Sequence, residues 1–193
     1  MSLEICNITK SFDGLKVLEN VNLTLEEQNI YCLMGASGSG KTTLFRIIMG
    51  LEHPDFGLVK GTEGKRFSAV FQENRLCEAY TPLENVLITA KRGVTAKEAK
   101  SELCRLLPEE AILRPVFTLS GGMKRRTAIC RAILACYDIL LMDEPFTGLD
   151  EITRQEVICY IREKTAKKLV ILSTHQEEDV EALGAKLIRL KES

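Results

Sequence analysis

The sequence predicts an α/β domain on a mostly parallel sheet, with an antiparallel β portion at the N-terminus and a compact helical insertion. Three observations predict it. Short apolar runs at 30–34, 139–142, 169–172 and 187–190 have the length and flanks of buried parallel strands. Segments with helical spacing alternate with them. Residues 1–10 instead alternate apolar and polar positions.

In chain order, Leu3, Ile5 and Ile8, then Val21, Leu23 and Leu25, read as two strands with one buried face, and Asp13-Gly14 between them has turn chemistry. The run 30–34 ends in glycines. Helical spacing follows at Leu44, Ile47 and Ile48, giving strand, loop, helix. Residues 82–107 turn helical, with Thr95 and Glu98 forming a capping box and Ala99, Leu103, Leu106 and Leu107 an apolar stripe. A further helix begins near Ser120 after two glycines, with Ile129, Ala132, Ile133 and Cys136 on its buried side. The whole is expected to be one domain, 1–193, with a helical part at about 76–135 inserted in the core. No repeat or low-complexity tract interrupts it.

Composition excludes little. The formal net charge of -1 gives no electrostatic reason to expect nucleic acid. No apolar stretch approaches the ~18 residues a membrane-spanning helix needs, and the N-terminus lacks signal-peptide character. The chain is expected to be soluble by itself. Seven cysteines, none spaced Cys-x-x-Cys, suit free, mostly buried thiols in a reducing cytosol. Lys124-Arg125-Arg126 reads as a solvated helical face rather than a nucleic-acid surface.

Gly35-Ala36-Ser37-Gly38-Ser39-Gly40-Lys41-Thr42, followed by Thr43, matches G-x-x-x-x-G-K-[ST] and stands where that motif requires, after a buried strand and before a helix. Glycines let backbone N–H groups turn inward on phosphates, and the helix N-terminus adds a favourable dipole. Lys41 is expected to pair the β- and γ-phosphates of a nucleoside triphosphate and Thr42 to ligate Mg²⁺. Asp143 and Glu144 follow the strand 139–142 at the edge where open α/β sheets bind ligands. Asp143 is placed to hold Mg²⁺ or its water shell, and Glu144 to take a proton from the attacking water. Leu119-Ser120-Gly121-Gly122-Met123 opens a helix with a hydroxyl residue and two glycines, exposing backbone donors to an anion.

These motifs stand in a fixed order: the phosphate loop, Phe71-Gln72-Glu73, the Ser120 segment, Asp143-Glu144, Gly148-Leu149-Asp150, and His175 after the strand 169–172. The order resembles that of the ATP-binding cassette, and the chain is similar to ABC transporter nucleotide-binding subunits along nearly its whole length. Gly50-Leu51-Glu52-His53-Pro54-Asp55-Phe56-Gly57 and Leu83-Glu84-Asn85-Val86 look like segments common in bacterial importer and lipoprotein-system ATPases.

The resemblance implies a RecA-like P-loop NTPase core and ATP with Mg²⁺ as ligands. It gives Gln72 contact with Mg²⁺ and the membrane partner, and His175 contact with the γ-phosphate. Two cassettes stack head to tail in this family, so Ser120, Gly121 and Gly122 would complete the ATP site of a second copy or a homologous ATPase subunit. Asp150 would lie across that interface, and Phe12, in Lys10-Ser11-Phe12-Asp13-Gly14, would stack on adenine. A lone Phe beside a turn is as readily a core residue. The further implication is ATP hydrolysis energising an importer through a separate membrane permease, at the cytoplasmic face. The competing reading is a soluble assembly or repair cassette. A regulatory subunit with little turnover is disfavoured by Lys41, Glu144 and His175 all being present.

Three departures stand out. Met123 replaces the family's signature glutamine, and Gly148 its D-loop alanine. The chain stops soon after Leu190, which leaves no expected room for an added C-terminal domain. Methionine cannot donate or accept as glutamine does, so the contacts around the partner's nucleotide would differ.

Overall fold

The computed structural model describes residues 2–190. In chain order the elements are β1 (Ser2–Phe12), β2 (Leu15–Glu26), β3 (Ile30–Met34), α1 (Lys41–Ile48), β4 (Phe56–Lys60), β5 (Phe67–Val70), α2 (Pro82–Thr89) and α3 (Ala96–Cys104). They continue through α4 (Gly121–Leu134), β6 (Ile139–Met142), α5 (Glu151–Lys164), β7 (Leu169–Ser173), α6 (Glu177–Leu183) and β8 (Lys186–Arg189). Short 3₁₀ turns at Glu109–Ala111 and Val116–Thr118 lead from α3 to α4.

Two sheets result. β2, β1 and β4 form an antiparallel sheet in that order. The hairpin turn at Asp13 and Gly14 has φ of 49° and 81°, the sign that a tight hairpin requires. The larger sheet runs β5-β6-β7-β3-β8, with every pair parallel.

The apolar runs are continuous because both faces of the parallel sheet are covered. Leu140, Met142, Val170 and Leu172 face one buried cluster with Val86, Ala99, Leu103, Ile129, Val157 and Ile161 of the helices. Ile139, Leu141, Leu169 and Ile171, one residue out of phase, face another with Leu44 and Ile48 of α1 and Leu3, Ile5, Ile8 and Leu18 of the antiparallel sheet. The helical segment therefore shares its core with the sheet.

Helix starts follow local chemistry. Thr95 Oγ1 accepts from Glu98 N while Glu98 accepts from Thr95 N at 2.8 Å, the expected capping box. Thr81 and Glu84 form a second, unexpected one, with Pro82 in the first turn of α2. Both glutamates have their carboxyl pKa lowered, chiefly by the capped backbone N–H.

Several expectations are corrected. The strand at 187–190 is parallel but not buried. Among the described residues β8 pairs with β3 alone, and Leu187 is 38 % exposed, because β8 is the sheet edge. The glycines before the Ser120 helix lie inside its first turn, with Ser120 as the cap. Leu106 and Leu107 are buried in a turn beyond α3, not on it. Cys32 and Cys130 are buried, but Cys77, Cys104, Cys136 and Cys159 are exposed, so the thiols are not mostly buried.

Candidate functional site

The phosphate loop leaves β3, an interior strand of the parallel sheet, and enters α1. Gly38 and Gly40 have φ of 85° and 86°, a region that glycine enters without strain. Gly40 is fixed by space as well, since a Cβ there would lie 2.5 Å from Leu18 Cδ2 and 2.7 Å from Val17 O. It caps α1 without a side chain, so the helix N-terminus faces the loop undecorated, with its N–H groups and positive dipole end. Lys41, nearly buried, donates to Gly35 O at 2.8 Å and Ala36 O at 2.9 Å, which holds the ammonium across the mouth of the loop. Ser39 Oγ is buried with no protein partner. A cradle of N–H groups, one ammonium and an orphaned hydroxyl fits a polyphosphate.

β6 delivers the two carboxylates, and β7 the serine that holds them. Thr42 Oγ1 donates to Asp143 Oδ2 at 2.5 Å, joining residues 101 apart in sequence. Ser173, the last residue of β7, donates to Asp143 Oδ1 at 2.7 Å and accepts from Glu144 N at 2.7 Å. A hydroxyl and a carboxylate side by side at a sheet edge are oxygen donors of the kind a hard divalent cation takes. Glu144 has φ of 49°, and this left-handed turn re-aims its side chain away from Asp143. His175 Nε2 then lies 2.7 Å from Glu144 Oε1, and Thr147 Oγ1 3.3 Å from Oε2. Glu144 and His175 line one cavity, and His175 lines a second with Gly35 and Ala36. The histidine thus spans carboxylate and loop.

Behind His175 stands a buried network that the sequence reading missed. Arg154 on α5 donates to Asp179 Oδ1 on α6, from Nε at 2.7 Å and Nη2 at 2.5 Å. Thr174 donates to the other oxygen of Asp179 and accepts from Gln176 N. Both neighbours of His175 are thereby tied to a buried ion pair whose side chains are 8 % and 2 % exposed. Ser173 was missed for the same reason. It ends an apolar run, and only β-sheet register places it against Asp143.

Gln72 is exposed, in the loop after β5, and lines a cavity with Thr42 and Asp143. The structure brings these three expected metal-site residues together. The basic run on α4 is not the solvated face expected. Arg125 is 5 % exposed and donates to Phe71 O and Gln72 O, each at 2.6 Å. Arg126 donates to Leu106 O at 2.5 Å. Burial pushes both guanidinium pKa values down, although arginine stays charged in proteins. The carbonyls of the loop and turn occupy these donors because α4 is covered on more sides than three basic residues in a row suggested.

The remaining expected residues stand apart from this group. Ser120 caps α4 by accepting from Met123 N at 3.2 Å, and Gly121 and Gly122 follow in the first turn. They line none of the cavities that hold Thr42, Glu144 and Gly35. Asp150 caps α5, accepting from Thr153 N at 3.0 Å and Thr153 Oγ1 at 2.8 Å, and these bonds lower its pKa. Phe12 is 44 % exposed, with Lys10 Nζ 5.0 Å from its ring centroid. It is therefore not a core residue.

Comparison with known proteins agrees with the geometry. The chain is 34 % identical over 97 % of its length to the sulfate/thiosulfate import ATP-binding protein CysA of Escherichia coli K12, and covers 57 % of that protein. It therefore spans little more than half the length of the sulfate/thiosulfate relatives it matches. It is 36 % identical to the aliphatic sulfonates import ATP-binding protein SsuB 1 of Nocardia farcinica, covering 98 % of this chain and 78 % of that one. Two solved dimeric structures of the ATP-binding cassette MJ0796 superpose on it, one of them a post-hydrolysis state bound to ADP and Pi. Their TM-scores are 0.84 and 0.86 at 28 % and 29 % identity, with 98 % of this chain and 94 % of each of those covered. A family model for ABC transporters matches residues 18–147, from the strand that walls Gly40 to the turn beyond Glu144. The chain belongs to the ABC transporter family.

Proposed function

We propose that the chain binds Mg²⁺-ATP and hydrolyses it as the energy-coupling subunit of an importer. It works as a head-to-tail dimer with a second copy or a homologous ATPase subunit, on an integral membrane permease at the cytoplasmic face. The observation that carries this reading is the Glu144–His175 contact at 2.7 Å, standing beside the phosphate loop on the same sheet edge.

In this reading the loop from Gly35 to Thr43 wraps the phosphates, and Lys41 turns its ammonium from the Gly35 and Ala36 carbonyls toward them. Thr42, Asp143 and Gln72 would hold Mg²⁺, whose charge offsets that of the phosphates. Glu144 takes a proton from the attacking water, and His175 fixes Glu144 while reaching the γ-phosphate. Phe12 stacks on adenine. Ser120, Gly121 and Gly122 of the second copy close over the nucleotide, with its Asp150 at the interface.

The relatives named above are import proteins, which favours transport over a soluble assembly or repair role. Among the described residues no helix is long and apolar enough to cross a membrane; in this reading the pathway is the permease's. The helical insertion, about 76–135, supplies the docking region near Gln72. Tyr80, Leu113 and Phe117 are exposed on it, and Val116 N donates to Tyr80 O at 2.8 Å. Affinity capture of the chain from detergent-solubilised membranes tests the assignment. Recovery of a polytopic membrane protein supports it, and recovery with soluble factors or nucleic acid alone overturns it.

A further inference from the structure

The two arginines that bracket the middle of α4 grip one short loop. Arg125 donates to Phe71 O and Gln72 O at 2.6 Å each, and Arg131 to Asn74 O at 3.1 Å and Arg75 O at 2.8 Å. Four carbonyls in five consecutive residues are thus held by one helix. The loop has just left the sheet, where Asp143 N still donates to Val70 O at 2.7 Å. Beyond that point its shape is irregular. Arg75 has φ of 47°, and its guanidinium lies 3.7 Å from the Phe71 ring centroid.

A planar guanidinium that forks two adjacent carbonyls fixes direction as well as distance, which an ammonium cannot do. Arg125 is also desolvated, and burial lowers its pKa, so releasing the carbonyls would strand a buried charge. The fork is therefore stiff. Ser120, the N-cap of α4, lies five residues before Arg125, or about 7.5 Å along the helix.

We propose that Arg125 is a positioning residue that sets Gln72 against Thr42 and Asp143 from α4, with Arg131 holding the far end of the loop, so that loop and helix move as one body. The proposal rests on the reading that Gln72 serves the Mg²⁺-ATP site. It also links each copy's Gln72 to its own Ser120, the residue offered to the other copy's nucleotide.

The test uses the full chain with Mg²⁺-ATP and four proteins: wild type, Arg125→Met, Gln72→Ala and the double variant. Arg125→Met is expected to lower kcat at least tenfold while KM for ATP stays within about twofold. Backbone amides at 71–75 should lose hydrogen-exchange protection while those at 35–42 keep it. On the Gln72→Ala background, Arg125→Met should cost no more than about twofold further.

Multiplying effects in the double variant, or unchanged exchange at 71–75, would overturn the clamp. Wild-type turnover in Gln72→Ala would instead overturn the role of Gln72 itself, so the two failures are distinguishable. If Arg125→Met does not fold, Arg125→Lys serves. It keeps the charge but cannot fork two carbonyls, and the same exchange loss at smaller amplitude is expected. Wild-type exchange in that variant overturns the proposal.

Discussion

His175 Nε2 and Glu144 Oε1 are 2.7 Å apart although 31 residues separate them. The contact keeps one carboxylate oxygen fixed by the imidazole ring. Glu144→Gln is expected to retain ATP binding, trap a nucleotide-bound dimer and lower turnover by on the order of 10² or more, the usual scale for losing a general base. His175→Ala should also lower turnover, with ATP affinity little changed. Single-turnover hydrolysis and gel filtration with ATP check both, and wild-type rates in Glu144→Gln would remove it as the base.

Asp143 is shared between Thr42 and Ser173, at 2.5 and 2.7 Å. Ser173→Ala removes a buried donor to Asp143 and the acceptor of Glu144 N. The expected cost is about 1–3 kcal/mol in unfolding free energy. Because outer partners orient metal ligands, the Mg²⁺ concentration for half-maximal hydrolysis should rise about 10-fold. Chelating Mg²⁺ should abolish hydrolysis in every variant and its return should restore it. A magnesium titration unchanged in Ser173→Ala would show that the hydroxyl does no orienting.

Arg154 and Asp179 form a buried pair beneath Thr174, the residue before His175. Removing one partner leaves the other charge uncompensated, so Asp179→Ala should cost about 3–5 kcal/mol. For a domain of this size that corresponds to a fall of roughly 10 °C in melting temperature. Thermal and urea unfolding measure it. A loss below about 1 kcal/mol would mean that water or a local shift satisfies Arg154.

Six of the seven thiols divide into two groups, Cys6 being half-buried between them. Burial pushes Cys32 and Cys130 up to about 12, so neither offers thiolate near neutral pH. Cys77, Cys104, Cys136 and Cys159 are exposed. A thiol reagent at pH 8 should label these four in the native protein, with Cys32 and Cys130 reacting only after denaturation. Peptide mapping reads the sites, and early labelling of Cys130 would contradict the packing of α4 against α5.

Much of this site was legible because its chemistry is local. The phosphate loop is eight consecutive residues between a buried strand and a helix, and the apolar phase of 139–142 already placed Asp143 and Glu144 at a strand end. What escaped notice depends on register and distant cover. β4 and β5 are edge strands, the first mostly exposed and the second half-buried, so neither shows a buried run. Ser173 gains its role from lying beside β6. Arg125 gains its own from a loop 53 and 54 residues away. Charge spacing along α4 carries no sign that neighbouring carbonyls will enclose it.

Leu18 and Val17 stand where any side chain on Gly40 would have to go. The antiparallel sheet is thus the outer half of a mould, and the loop is its casting. An apolar side chain from a different sheet thus limits the space in which the loop turns at Gly40. A fragment starting at β3 would contain the complete phosphate-loop motif and still lack its shape. Enlarging Leu18 is expected to weaken nucleotide binding from outside the loop itself.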